Sequence, residues 1–169
     1  MVDLLAIFRA ARVMRWHTNP ALAHTNDRLD AHQGRVARII LALHPSPSVA
    51  LLRAALTHDD GEHAVGDVKA PAKDMFPGLR EWLDGAEKRA RESLWGPDPD
   101  LTAEERKWLH YADRMDAMMW CEVHAPNELT GDGWPEARRD LQMMAWELGI
   151  GVPQANTDRA QVAALGAKS

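Results

Sequence analysis

Apolar residues recur at helical spacing along most of the chain. No segment alternates polar and apolar residues with the period of two that a half-buried strand needs. That pattern confines the fold to an all-α bundle. Residues 2–12 carry Val2, Leu5, Ala6 and Arg9 at helical spacing. Residues 13–29 have no clean period and read as a long ordered loop, the kind that usually serves function in a small domain. Residues 30–43 place Val36, Ile39, Ile40 and Leu43 on one face, with Asp30 as the N-cap. Ser48 caps a third helix, 49–59, so nearly apolar all round that burial in the core is expected. A charged amphipathic helix over 78–95 stops at Gly96-Pro97-Asp98-Pro99. Thr102 and Glu105 form a capping box for the longest helix, 103–124. A last helix, 135–148, ends at Gly149 and Gly151, and the tail 154–169 adds a short turn or frays. The expectation is six or seven helices in one compact bundle.

A chain of 169 residues supports a single domain, 1–169, with one substantial core. Twenty Lys and Arg against 25 Asp and Glu leave a net charge of −5, which lacks the basic footprint of a duplex-binding module. A small phosphorylated ligand needs only a few local cations and stays open. The single cysteine, Cys121, excludes an intramolecular disulfide framework and Cys-rich zinc modules. No apolar run approaches the ~20 residues of a membrane span. The first residues have no basic stretch ahead of their apolar ones, so a cytoplasmic location is expected.

Four candidate metal ligands stand out on these helices. His32 sits early in the second helix, His58 and Asp59 end the third, and Asp113 lies in the middle of the long one. A mid-helix carboxylate near apolar faces must be paired, metal-bound or turned to solvent. Imidazole and carboxylate together suit a first-row divalent ion such as Mn, Co, Ni or Zn. Four protein ligands would leave an octahedral ion two positions for water and a substrate oxygen. Taken singly, His32 also reads as a surface or satisfied core histidine, and Asp113 as half of a surface ion pair with Arg114 or Lys107. The set gains weight from its context, because His58-Asp59 closes a core helix and Glu62, His63 and Asp67 follow at once.

His…His-Asp…Asp on successive helices resembles the HD-domain metal phosphohydrolases. The order Arg15-Trp16, Asp30-Ala31-His32, His58-Asp59-x-x-Glu62, Gly66-Asp67, Pro71-Ala72-Lys73 and Tyr111-Ala112-Asp113-Arg114-Met115-Asp116-Ala117 is similar to that of the small HD 5′-deoxynucleotidases. It runs from about residue 12 to 125. Within that group, Arg15-Trp16-His17-Thr18-Asn19-Pro20 and the compact length resemble the bacteriophage dATP triphosphohydrolases (DatZ), which deplete dATP where 2-aminoadenine replaces adenine in DNA. Two positions depart from the pattern. Ala31-His32-Gln33 stands where Glu-His-Ser is usual, and Asp60 stands where a small apolar residue usually follows the His-Asp pair.

The resemblance implies one transition-metal ion, Co, Zn, Mn or Ni, on His32, His58, Asp59 and Asp113, with an additional Mg on a triphosphate. It implies hydrolysis of a deoxynucleoside triphosphate, dATP preferred, to deoxynucleoside and triphosphate. The alternative is release of phosphate from a deoxynucleoside monophosphate. A degenerate HD domain kept for binding is a third reading, though all four ligands and Glu62 are present. Glu62 becomes a proton-transfer or water-orienting group, and by itself reads as a solvated surface residue. Asp67 is placed near the leaving 5′-oxygen, and by itself reads as a turn residue after Gly66. Lys73 and Arg15 would hold the phosphate chain. Trp16 would face a purine or pack its loop onto the core. The other tryptophans, Trp82, Trp95, Trp108, Trp120, Trp134 and Trp146, read as core or interface. A homo-oligomer built on dimers, a hexamer in phage members, completes the implied picture.

Overall fold

Leu29, His32, Gln33, Val36, Ala37 and Ile40 are buried along one stripe of α2 (Leu29–Leu43), at the three- and four-residue steps of an amphipathic helix. A histidine and a glutamine inside an apolar stripe mark where the core gives way to polar chemistry. The computed structural model describes residues 3–68, 70–73, 75–131 and 133–151. Among them the chain also forms α1 (Leu4–Ala10), α3 (Val49–Thr57), α4 (Ala70–Lys73), α5 (Leu79–Trp95), α6 (Ala103–His124) and α7 (Trp134–Glu147). Three short 3₁₀ segments join them: Ala23–Thr25, Asp60–Ala64 and Pro126–Thr130. No strand occurs among the described residues. A single antiparallel bridge, Met14 to Arg28, closes the base of the 13–29 loop. The tail 154–169 lies outside the described residues.

Helix α6 is the axis of the bundle. Trp108 and Ala112 pack against Val36, Ala37 and Ile40 of α2 and Leu51, Ala54 and Ala55 of α3. Tyr111 and Met118, on a neighbouring face, pack against Leu141 and Ala145 of α7. The expected capping box forms in full: Glu105 N–H donates to Thr102 Oγ1, and Thr102 N–H donates to Glu105 Oε2. Helix α5 lies along the 60–64 turn.

Several expectations need correction. The first helix is shorter than 2–12, running from Leu4 to Ala10 with Asp3 as its N-cap. Asp30 is not the N-cap of α2. Extended Arg28 holds that position, and Asp30 lies in the first turn, where its negative charge faces the positive end of the helix. Helix α3 stops at Thr57, whose hydroxyl donates to the Arg53 carbonyl, so His58 and Asp59 lie in the turn beyond it. Nor is α3 buried all round. Leu51, Ala54 and Ala55 face the core, while Val49 is 83% and Leu56 50% exposed. Of the tryptophans read as core or interface, Trp108 is in the core, while Trp82 and Trp146 are exposed, which does not contradict that reading.

Candidate metal centre

Three separate elements bring four side chains to one point. The stripe of α2 carries His32 inward. The turn after α3 presents His58 and Asp59, and α6 presents Asp113 across from them. One ligand atom from each lies within 4.8 Å of all the others. His32 Nε2 stands 3.3 Å from Asp59 Oδ2 and 3.2 Å from Asp113 Oδ1. His58 Nε2 stands 3.4 Å and 3.9 Å from the same two atoms. Yet both Nε2 atoms are buried without a hydrogen-bond partner. The carboxylates are close but not aligned to accept from them.

Each imidazole is turned the same way. His32 Nδ1 lies 2.7 Å from Asp116 Oδ2, and His58 Nδ1 lies 3.1 Å from the Ala55 carbonyl oxygen. Both partners are acceptors, so Nδ1 carries a hydrogen in each ring and Nε2 is the atom left to hold a proton or an ion at the cluster. Two donors that share an ion at about 2.1 Å stand roughly 3.0–3.4 Å apart. Three of the four His–Asp separations meet that spacing, and the fourth is within half an ångström of its upper end. The donor set, two imidazole nitrogens and two carboxylates, could therefore hold one metal ion.

The electrostatics carry the same message. Burial opposes a charge on His32, but Asp113, Asp116 and Asp59 outweigh it and push its pKa up to about 10. His58 is also raised, against the effect of burial, by Asp59 and Asp113. Asp113 is held well below the usual carboxylate range by the two imidazoles, although burial works against its charge. The cluster draws positive charge, as protons or as a metal ion.

Glu62 is only 8% exposed, and its Oε2 has no partner. The chain here is a 3₁₀ turn rather than α-helix, with Glu62 N–H donating to the Asp59 carbonyl at 2.8 Å. Residues three apart eclipse in such a turn, which puts Glu62 on the side of Asp59. Burial first, then the charges of Asp59, Asp67 and Glu87, push its pKa up to about 9. It is not the solvated surface residue that the sequence allowed.

The other expected residues are placed as follows. Asp67 Oδ2 accepts the backbone N–H of Trp16 at 2.9 Å and so ties the 13–29 loop to the turn. Trp16 has φ +63°, in the left-handed region. Its indole N–H donates to Asp27 Oδ2 at 3.2 Å, and its ring lies 6.2 Å from that of Trp134. Arg15 is engaged with Asp27 at 3.1 Å and Asp116 at 3.5 Å. Lys73 Nζ pairs with Glu87 Oε1 at 3.0 Å. The departure at Asp60 has a structural role, because its carboxylate accepts from Gln33 at 3.0 Å and from the Trp95 indole at 2.7 Å. Both unusual residues, Gln33 and Asp60, thus bind each other.

Sequence reasoning gave no role to Asp27 and Arg35, nor to Asp116, which it quoted only within the 111–117 motif; the three form a largely buried ion network behind His32. It also missed Arg91, whose Nη1 donates to the His58 carbonyl while Asp98 takes its other edge. The spacing held a usable signal: Arg35 follows His32 by three residues, and Asp116 follows Asp113 by three, each pair close on one helix face. A cavity of about 260 Å³ opens beside His58, lined by Thr57, Arg91, Asp98, Leu101 and Arg106. No helix of the described residues is long and apolar enough to cross a membrane. Comparison with protein-family models, curated proteins and solved structures finds no match to this chain.

Proposed function

We propose that the chain is an HD-type metal-dependent phosphohydrolase that splits deoxynucleoside triphosphates, dATP in preference, into deoxynucleoside and triphosphate. The observation that carries this reading is the pair of buried, unpartnered Nε2 atoms on His32 and His58 facing Asp59 and Asp113. A divalent ion held there would act as a Lewis acid on a phosphoryl oxygen and supply a nucleophile from water near neutral pH. Glu62 holds a proton at neutral pH and sits on the side of Asp59. It can pass that proton to a leaving oxygen, or orient the attacking water once a cation offsets Asp59. In this reading Arg15 and Lys73 are the phosphate contacts and Trp16 is the base contact. In a phage that uses 2-aminoadenine, such an enzyme would clear dATP from the host cytoplasm.

One observation favours the monophosphate alternative. Arg15 and Lys73 both already face carboxylates, so a triphosphate must compete with Asp27, Asp116 and Glu87 for them. The deciding experiment incubates the purified chain with the four dNTPs and the four dNMPs, with and without chelation, and identifies the products. Intact triphosphate released from dATP, abolished by chelation and restored by Co²⁺ or Zn²⁺, is the expected result. Orthophosphate from dAMP with inert dATP selects the alternative, and no turnover of either class by metal-loaded protein sinks both.

A further inference from the structure

We propose that Asp116 and Arg35 are positioning residues of the metal centre: Arg35 immobilises Asp116, and Asp116 fixes the ring of His32 with Nε2 toward Asp59 and Asp113. This rests on the metal-centre reading above and extends it to residues that touch neither ion nor substrate.

The contact pattern is specific. Asp116 is 2% exposed and spans His32 and Arg35, with Arg15 Nη1 a third and longer contact at 3.5 Å. Its Oδ2 accepts from His32 Nδ1 at 2.7 Å, and its Oδ1 accepts from Arg35 Nε at 2.6 Å. Arg35 Nη2 closes the fork at 3.1 Å from Oδ2. A two-point guanidinium–carboxylate pair fixes the plane of the carboxylate as well as its position. Arg35 is fixed in turn. Its Nη2 donates to both oxygens of Asp27, at 2.9 and 3.0 Å, and its guanidinium lies 4.2 Å from the ring centre of Trp120.

The consequence falls on His32. A ring flipped by 180° would turn a C–H toward Asp116 and give up the 2.7 Å hydrogen bond between Nδ1 and Oδ2, a costly loss for a buried imidazole. Only one ring orientation satisfies Asp116, and it is the one that aims Nε2 at the cluster. Outer partners of metal-binding histidines act in this way, and their loss typically weakens metal binding about 10–100-fold.

A purely structural network is the competing account, and Asp27 separates the two. Asp27 is as buried as Asp116 and shares Arg35, but it makes no contact with His32. The full chain is stripped of metal, and Co²⁺ affinity and the visible Co²⁺ spectrum are measured for wild type, Asp116→Asn and Asp27→Asn beside their melting curves. We expect Asp116→Asn to bind Co²⁺ about 10–100-fold more weakly with an altered spectrum. Asp27→Asn should lose thermal stability yet stay within a few-fold of wild type in Co²⁺ affinity. Should Asp116→Asn fail to fold, Arg35→Lys keeps the charge and removes the fork, and is expected to weaken Co²⁺ in the same sense. Unchanged affinity and spectrum in Asp116→Asn or Arg35→Lys, or equal losses in Asp116→Asn and Asp27→Asn, overturn the positioning role while leaving the metal centre standing. Failure of the wild type to bind Co²⁺ or Zn²⁺ overturns the centre itself, and this inference with it.

Discussion

A Cβ placed on Gly61 would stand 2.0 Å from the carbonyl oxygen of Glu87, so the turn that carries Glu62 lies directly against the backbone of α5. No rotamer change relieves a clash with backbone. Gly61→Ala must push α5 away from the turn, and overpacking of this kind costs about 1–3 kcal/mol. For a domain of this size the expected fall in Tm is roughly 2–12 °C. A melting curve checks it, and a Tm within a degree of wild type would show that the turn and α5 are not in close contact.

Asp113→Asn should leave the fold intact and empty the metal centre. The swap is nearly isosteric, but it replaces an anionic donor with a neutral amide and leaves two imidazoles facing a single carboxylate. The loss of metal affinity should be at least the about 10–100-fold expected of an outer partner. Elemental analysis of the purified variant beside its circular dichroism spectrum tests this. Full metal content in a folded variant would remove Asp113 from the ligand set.

Stability against pH should differ in sign between the metal-free and metal-loaded protein. In the metal-free protein His32 titrates near 10 rather than 6.5, raised by its three carboxylates against the effect of burial. Its contribution to stability is therefore fully present below about pH 6.5 and drains away as pH rises toward 10. A bound ion takes the place of that proton, so metal affinity falls as pH is lowered and binding releases protons. Melting curves between pH 6 and 10, with and without chelator, should diverge as pH rises. Parallel curves would show that His32 does not exchange proton for metal.

Glu62→Gln should stabilise the protein while abolishing turnover. The unfolded glutamate ionises near 4.5, and the folded one holds its proton up to about 9, through burial and then Asp59, Asp67 and Glu87. Stability from this group is present below pH 4.5 and is lost as pH climbs to 9. A glutamine never ionises, so the stability difference between variant and wild type should grow steadily across that window. The readouts are Tm from pH 5 to 9 and nucleotide turnover at one pH. A constant difference in Tm would place the Glu62 carboxyl in water.

The helices were the most legible part of the sequence. The limits of α6 are as expected because both halves of its capping box, Thr102 and Glu105, are local. The end of α3 was misread because the chain tightens after Thr57 into a turn and a 3₁₀ segment, which no apolar period reveals. The exposure of Val49 and Leu56 was hidden by the same apolar run that signalled the helix. The four candidate ligands were visible as residue types, and the structure draws them to one point. What lay behind them was not visible. Asp27 sits in a loop without a period, and the pairing of Lys73 with Glu87 depends on how α4 and α5 come together.

The candidate ligands come from three stretches of chain far apart in the sequence, the start of α2, the turn after α3 and the middle of α6. An unfolded chain cannot gather them at low cost, because each loop must close before the next ligand arrives. An ion bound there is thus a cross-link of the native topology as well as a reagent. It would join the elements on both sides of the apolar cluster shared by α2, α3 and α6 and make their separation a single event. Heated protein should then keep its ion until the whole bundle opens, and melt at a temperature that depends on how much free metal surrounds it.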